Sequence, residues 1–210
     1  TANIRCQKTS LKTKIDSRQR VQIMNQNIFN HFQNVIETTM VVGDICSDSI
    51  ANASEIITTA LLNGHSVFSC GEKSGSLMAQ LLTDHLSLGF EIERPAFPAL
   101  NMNKMCAEIT TQNRFANVIE THARSSDVLV VISAGDNSPS MVHAVESAIE
   151  KGMVVVLLSA VNDDRLSASI GYNDVNISAG QFSGQLVTQA QFQTVQCLGA
   201  LVENKIFGGS

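Results

Sequence analysis

The stretch SVFSCGEKSGSLMAQLLTDHLSLGFEIERP, Ser66 to Pro95, decides how the chain is read. A short apolar run, Val67-Phe68, breaks at Cys70-Gly71 and gives way to small and polar residues. From about Ser76 the apolar positions take up helical spacing, which predicts a helix with Leu77, Leu81, Leu82 and Leu88 near one face. Strand, glycine-containing turn and helix start together aim backbone N–H groups at an anion. Ser74 and Ser76 add hydroxyl donors there. Most such joints in α/β proteins bind nothing, so the joint alone identifies no ligand.

Downstream the same alternation repeats. DVLVVIS, Asp127 to Ser133, is a continuous β-branched run of the kind buried in parallel sheets. It ends in AGDNSPS, and a helix is expected from Met141 to Lys151, closed by Gly152. MVVVLLS, Met153 to Ser159, reads as another buried strand. A loop carrying Asp163-Asp164-Arg165 and a weak edge strand, Asp174 to Ser178, follow. The last helix is expected from Gln185 to Ile206, with Phe192, Val195, Leu198, Val202 and Ile206 as its apolar stripe. Between Phe97 and Leu100 a short strand is expected. Residues 101–126 are the least legible; helical spacing runs from Met105 to Ala123, weakened by Thr110-Thr111 and Asn113.

Upstream, Val21, Met24, Ile28, Phe32 and Val35 follow at spacings of three or four from a start near Ser17. The polar face of that helix is rich in Gln and Asn rather than charge, which suits packing against another subunit. A second helix runs from Ser47 through Ile50, Ala53, Ile57 and Leu61 to a stop at Asn63-Gly64. Helices alternating with apolar strands argue an α/β fold around a mainly parallel sheet, preceded by N-terminal helices. The expected organisation is one domain, 18–210, after a basic leader, 1–17. Ligands in such sheets sit beyond the C-terminal strand ends, at a switch point. Two loops have the right chemistry for that place: Gly71 to Ser76, and Ser133 to Ser140.

The composition is that of an ordinary globular chain, 44% apolar and 16% charged over 210 residues. No apolar run is long enough to span a membrane, and the first residues lack the apolar core of a secretory signal. Five scattered cysteines without a C-x-x-C pair argue against a disulfide framework or zinc knuckle and suit a reducing cytoplasm. Charge is uneven: Arg5, Lys8, Lys12, Lys14, Arg18 and Arg20 face only Asp16 in the first twenty residues, while the whole chain carries −5. The leader has no interleaved aromatics and reads as a solvated tail rather than a nucleic-acid grip. The histidines His31, His65, His122 and His143 show no ligand spacing.

CGEKSGSLMAQ, the following F-E-x-E-R-P-x-x-P-A, DVLVVISAGDNS and the C-terminal CLGALVENKIF together resemble the sugar isomerase (SIS) domain. The branch most similar is that of the phosphoheptose isomerases. The resemblance runs from Val21 to Phe207, and its most specific piece is E-R-P-x-x-P-A, Glu93 to Ala99. It implies a three-layer α/β/α sandwich whose two loops hold a sugar phosphate through hydroxyls and backbone amides. Residue by residue, Ser74, Ser76, Ser133, Asn137 and Ser138 are the implied phosphosugar-binding positions. Glu72, Gly135 and Asp136 depart from the pattern. Two of these departures bring negative charge toward the anion, which Lys73 is placed to offset.

The resemblance also implies where catalysis would sit. The isomerases carry a His and a Glu on the helix after the first loop, and a Gln and a His on the last helix. These four hold zinc and include the acid–base pair. Here the positions read Leu81, His85, Thr188 and Gln196. Isomerisation needs a base with a pKa near the working pH. His85 is the only candidate, so neither catalysis nor a metal or other cofactor is expected. A branch of the family that has lost its catalytic carboxylate, the DnaA initiator-associating proteins, forms homotetramers that bind the replication initiator. Its C-terminal Leu-Phe pair contributes to that binding, and Ile206-Phe207 stands at the matching place. The expected function is an oligomeric, non-catalytic initiator-associating factor; the alternative is a sedoheptulose 7-phosphate isomerase.

Overall fold

The computed structural model describes residues 17–208 except 136 and 183, with side chains from residue 22. Residues 1–16 of the basic leader, the side chain of Val21 and Asp136 therefore lie outside the described residues. The chain divides into two compact units, 1–36 and 37–210. The first unit contains the greater part of helix α1, Ser17–Ile45. Its Met24, Ile28 and Phe32 form the expected stripe, yet all three are exposed.

The second unit is built on five parallel strands in the order β2-β1-β3-β4-β5. They are β1 Val67–Gly71, β2 Ala99–Asn101, β3 Val128–Ile132, β4 Val154–Ser159 and β5 Val175–Ser178. The β-branched run in β3 is buried along its whole length, as a strand covered on both faces must be. Its side chains alternate between two cores. Val128, Val130 and Ile132 join one with α2, Ser47–Leu62, α3, Ser74–Leu88, and α8, Gln185–Phe207. Leu129 and Val131 join the other, with α4, Met102–Met105, α5, Arg114–His122, α6, Pro139–Lys151, and α7, Asp164–Ser169. The three-layer sandwich follows from that alternation.

Local signals explain most element ends. Pro139 begins α6, and Gly152 ends it in the left-handed region at φ 76, its N–H returning to the carbonyls of Ala148 and Ile149. Asn63 closes α2 by the same kind of backbone return. Asp174 is not in the edge strand, which starts at Val175. Its carboxylate instead accepts from Val155 N at 2.7 Å and Gly171 N at 2.6 Å, fixing the turn before β5.

Three expectations are corrected. The single helix from Met105 to Ala123 is two short ones, α4 and α5, with the chain between them non-helical around Thr110 and Thr111. Asn101 caps the first, its Oδ1 accepting from Lys104 N at 2.9 Å. The loop at Asp164-Arg165 is the short helix α7. The face of α3 is also rotated: Leu77 and Leu88 are 67% and 76% exposed, and the buried face is Met78, Ala79, Leu82, Thr83 and Leu86. Ala79 and Thr83 lie inward beside these larger side chains, where α3 comes close to β1. Ser69 Oγ donates to Ala79 O at 3.0 Å and lies 2.7 Å from Thr83 Oγ1.

The closest approach lies where α3 begins. A Cβ on Gly75 would stand 2.1 Å from the Ile132 carbonyl oxygen, and one on Gly71 would stand 2.5 Å from the Gly75 carbonyl carbon. Both obstacles are backbone and cannot rotate away. Gly75→Ala is expected to lower stability by about 3 kcal/mol through forced separation of α3 from β3, which urea unfolding of the two proteins measures directly.

Candidate functional site

The sheet order places its switch between β1 and β3. The chain leaves β1 for α3 in one helical layer and leaves β3 for α6 in the other. A crevice must open between connections that diverge to opposite faces. Gly71 pairs with Ile132 at the last register position, so the two loops emerge level with each other. Asn103 ties down the first, accepting from Gly71 N at 3.2 Å and donating to Gly71 O at 2.7 Å.

The expected hydroxyls lie on the two loops that flank this switch point, and each already has a protein partner. Ser133 Oγ donates to Asp163 Oδ1 at 2.6 Å, while Asp163 Oδ2 accepts from Ala160 N at 2.7 Å. Ser133 and Asp163 are fully buried, so this hydroxyl stabilises a buried carboxylate. Ser138 Oγ lies 3.0 Å from Ser140 Oγ, and Ser140 donates to Glu72 Oε1 at 2.6 Å. Ser76 Oγ donates back to Lys73 O at 2.7 Å. Ser74 Oγ accepts from Thr188 Oγ1 at 3.2 Å. Asn137, at φ 44, donates to the Asn162 carbonyl and accepts from Arg165 N.

Two participants were not legible in the sequence. Arg114, from the unclear region, donates through Nη2 to Glu72 Oε1 at 2.8 Å. The counter-charge the structure sets against Glu72 is thus a residue 42 positions away, where Lys73 was expected. Gln191, 2% exposed on α8, donates to the Ser133 carbonyl at 2.6 Å, and its Oε1 is buried without a partner. Its position, one helical turn after Thr188, was the only available signal.

The four positions matched to catalysis line the junction of α3 and α8. Thr188 meets Ser74 at its open end, and Leu81 packs against the core. His85 stands edge-on to Phe90 at 4.7 Å, and a Cβ on Gly199 would lie 3.1 Å from its ring. Burial pushes the His85 pKa down, against weaker upward pulls from Asp84, Gln196 and Glu203. Cys70, next to the end of β1, is fully buried, and burial pushes its thiol far up, so it is a core residue rather than a nucleophile. Among the described residues no three His, Cys, Asp or Glu side chains assemble into a possible metal site.

A second constellation explains the Glu93–Ala99 signature. Glu203 on α8 is almost wholly buried and accepts from Phe90 N at 2.9 Å, Glu91 N at 2.8 Å, Ile92 N at 3.1 Å and Arg94 Nε at 3.0 Å. Arg94 also donates to the His85 carbonyl at 2.7 Å and the Leu86 carbonyl at 3.0 Å, covering orphan carbonyls at the end of α3. Its guanidinium lies 4.1 Å from the Phe97 ring centroid, and Phe97 stacks on Phe207 at 5.9 Å. Ile206 packs against the core, whereas Phe207 remains 44% exposed.

Comparison with known proteins agrees with this architecture. The family model of the SIS domain matches residues 30–160. The DnaA initiator-associating protein DiaA of Photorhabdus laumondii is 30% identical over 183 residues, covering 84% of this chain and 93% of the relative. Its Yersinia pestis counterpart is 30% identical over 191 residues, covering 88% and 97%. A phosphoheptose isomerase structure from Francisella tularensis superposes with a TM-score of 0.78 at 23% identity, covering 86% of this chain and 98% of that one. At that identity the likeness establishes the fold alone. Among the described residues no helix is long and apolar enough to cross a membrane.

The Arg94–Glu203 pair carries a pH signature. Burial raises the Glu203 pKa, but three backbone donors and Arg94 outweigh it, and the net direction is down. Its contribution is fully present above the unfolded glutamate value of about 4.3 and is lost as pH falls through the lowered folded value. Glu203→Ala is expected to cost about 3–5 kcal/mol at neutral pH, by leaving Arg94 buried and unpaired. The stability difference between the two proteins should shrink on acidification; a denaturation series across pH reads both effects.

Proposed function

This chain belongs to the SIS-domain family, and on that premise we propose that it is a non-catalytic, oligomeric initiator-associating factor of the cytoplasm. One observation carries the proposal. The positions at which the resemblance implies isomerase catalysis hold Leu81, Thr188 and Gln196, and their remaining member, His85, is packed between helices with its pKa lowered. A leucine, a threonine and a glutamine do not move protons between adjacent carbons at neutral pH. The two relatives at 30% identity, named for association with the initiator DnaA, supply the positive half of the reading.

An exposed apolar face supports it. Ile23, Met24, Ile28, Phe29, Phe32 and Ile36 stand exposed along α1, an apolar surface of the kind that marks an interface. A homotetramer covering these helices would display several copies of the C-terminal aromatic patch. Weak contacts then add through effective concentration, as gathering several initiator molecules requires. Phe207 is the exposed member of that patch, stacked on Phe97, and Ile206 beside it in sequence packs against the core.

The second reading is a sugar-phosphate site in the crevice, with or without isomerisation. What favours it is the convergence of Ser74, Ser76, Ser133, Asn137 and Ser138 on one switch point. A ligand there would have to replace the internal bonds these groups now make.

Two measurements test the proposal. Phe207→Ala should leave the oligomer intact and cost only about 1 kcal/mol, the worth of one aromatic pair, while abolishing capture of the initiator's N-terminal domain. Retained capture, or a wild type that captures nothing, removes this function. The purified protein is also expected to show no isomerisation of sedoheptulose 7-phosphate above background, with or without zinc. Turnover that disappears in His85→Ala would restore the enzyme.

A further inference from the structure

The opposite end of the sheet, where β1 and β3 begin, holds a hollow of about 420 Å³. Its two walls are tied together by one buried carboxylate. Asp127, 3% exposed, accepts from Ser66 N at 2.8 Å through Oδ1 and from Arg124 N at 2.7 Å through Oδ2. The chain leaving α2 and the chain leaving α5 are thereby held against each other at the start of the strands. Ser126, inside the second of these turns, stays in the left-handed region at φ 72, with its N–H on the Gly152 carbonyl at 2.8 Å. A residue other than glycine keeps that conformation only where its surroundings hold it. The floor of the hollow is apolar, formed by Phe68 and Leu100, direct partners in neighbouring strands.

Several polar groups that line this hollow are not spent on the fold. Among the described residues, the Arg124 guanidinium, the His122 ring and the Ser66 hydroxyl have no hydrogen bond or ion pair. A basic side chain at a helix end commonly answers the last carbonyls. At the end of α5, Lys151 Nζ already donates to the Glu120 carbonyl at 2.9 Å, and Ala123 N donates to the Ile119 carbonyl. Arg124 and His122 are thus left on the α5 wall as donors without acceptors. On the facing wall, His65 Nδ1 lies 3.7 Å from Asp127 Oδ1. The acid of the hollow is therefore answered by two backbone N–H groups and faces an imidazole, while the charge of Arg124 is answered by nothing.

We propose that this hollow binds a small hydroxycarboxylate with an apolar body. The carboxylate meets Arg124 and His122, the hydroxyl meets His65 and Ser66, and the body covers Phe68 and Leu100. A guanidinium takes a carboxylate through two parallel bonds, which fixes the orientation of the ligand as well as its charge. A monoanion matches the groups present. A dianion would find one permanent cation and, close by, the Asp127 carboxylate, whose repulsion opposes the second charge. The volume falls within the span of small-molecule sites, about 300–1,000 Å³, and the mixture of an apolar floor with a few placed donors is typical of them. The site lies at the other end of the strands from the crevice and does not rest on initiator binding.

The test is titration calorimetry on the full chain with mandelate, which carries a hydroxyl, a carboxylate and a phenyl ring on one carbon. Mandelamide removes the charge, and phenylacetate removes the hydroxyl. Mandelate is expected to bind saturably with a Kd of about 1 mM or lower, and mandelamide at least about tenfold more weakly. Phenylacetate should also bind more weakly than mandelate. Arg124→Met should weaken mandelate at least about tenfold and erase its advantage over mandelamide. The unliganded variant should melt as wild type does, because the guanidinium has no partner to lose. Ser66→Ala keeps the backbone N–H that Asp127 accepts and should narrow the preference for mandelate over phenylacetate. Absence of saturable mandelate binding up to about 10 mM overturns the proposal. So does equal binding of mandelamide or phenylacetate by wild type, or mandelate binding that Arg124→Met leaves unchanged.

Discussion

The Ile132 carbonyl oxygen lies so near α3 that only hydrogen fits on the residue facing it. That contact, at Gly75 with Gly71 beneath it, brings a helix of one layer against the end of the central strand. The crevice exists because α6 leaves the same strand end toward the opposite layer. The separation of the two loops is consequently set by backbone atoms. Glu72, which directly follows Gly71, is carried to within hydrogen-bond reach of α6's first turn as a direct result.

A buried carboxylate organises the other end of α3. Glu203 collects three successive backbone N–H groups and one guanidinium, so the segment after α3 is pinned to α8 without regular secondary structure. Burying such a charge is costly unless every lone pair is answered, and here the answers come from one short stretch. The arginine has a double role, since its remaining N–H groups answer the carbonyls that end α3. Its flat face then supports Phe97, which supports Phe207. The surface aromatic proposed for partner binding thus rests on the same ion pair that closes the fold.

These two arrangements separate what the backbone supplies from what side chains supply. The crevice, the hydroxyl loops and the tight glycine contact are features of backbone geometry. Catalysis would depend on a few side chains added to that geometry. At the α3–α8 junction the side chains present are packed and bonded: His85 fits against Phe90 and Gly199, and Thr188 bonds to Ser74. The loop hydroxyls are engaged with Asp163, Glu72 and the chain's own carbonyls.

The strands, their burial and the positions of most helices were legible because they depend on local signals. The β-branched run of β3 can only be a two-sided strand, and Gly152 and Asn63 end helices by short-range backbone bonds. Residues 101–126 resisted because α4 and α5 are too short for periodicity to speak. Part of the buried face of α3 was misread because Leu77 and Leu88 outweigh Ala79 and Thr83 in an apolar pattern, although the face toward the sheet holds Met78, Ala79, Leu82, Thr83 and Leu86. The sequence by itself determined that two hydroxyl-rich loops leave the ends of apolar strands in a mainly parallel sheet, since that follows from period, turn residues and order along the chain. Only the tertiary structure decided that Arg114 faces Glu72 and that Glu203 receives the Arg94 loop. Those partners lie 42 and 109 positions apart, and a pairing over such distances is fixed by where the sheet and its two helical layers bring the chain together.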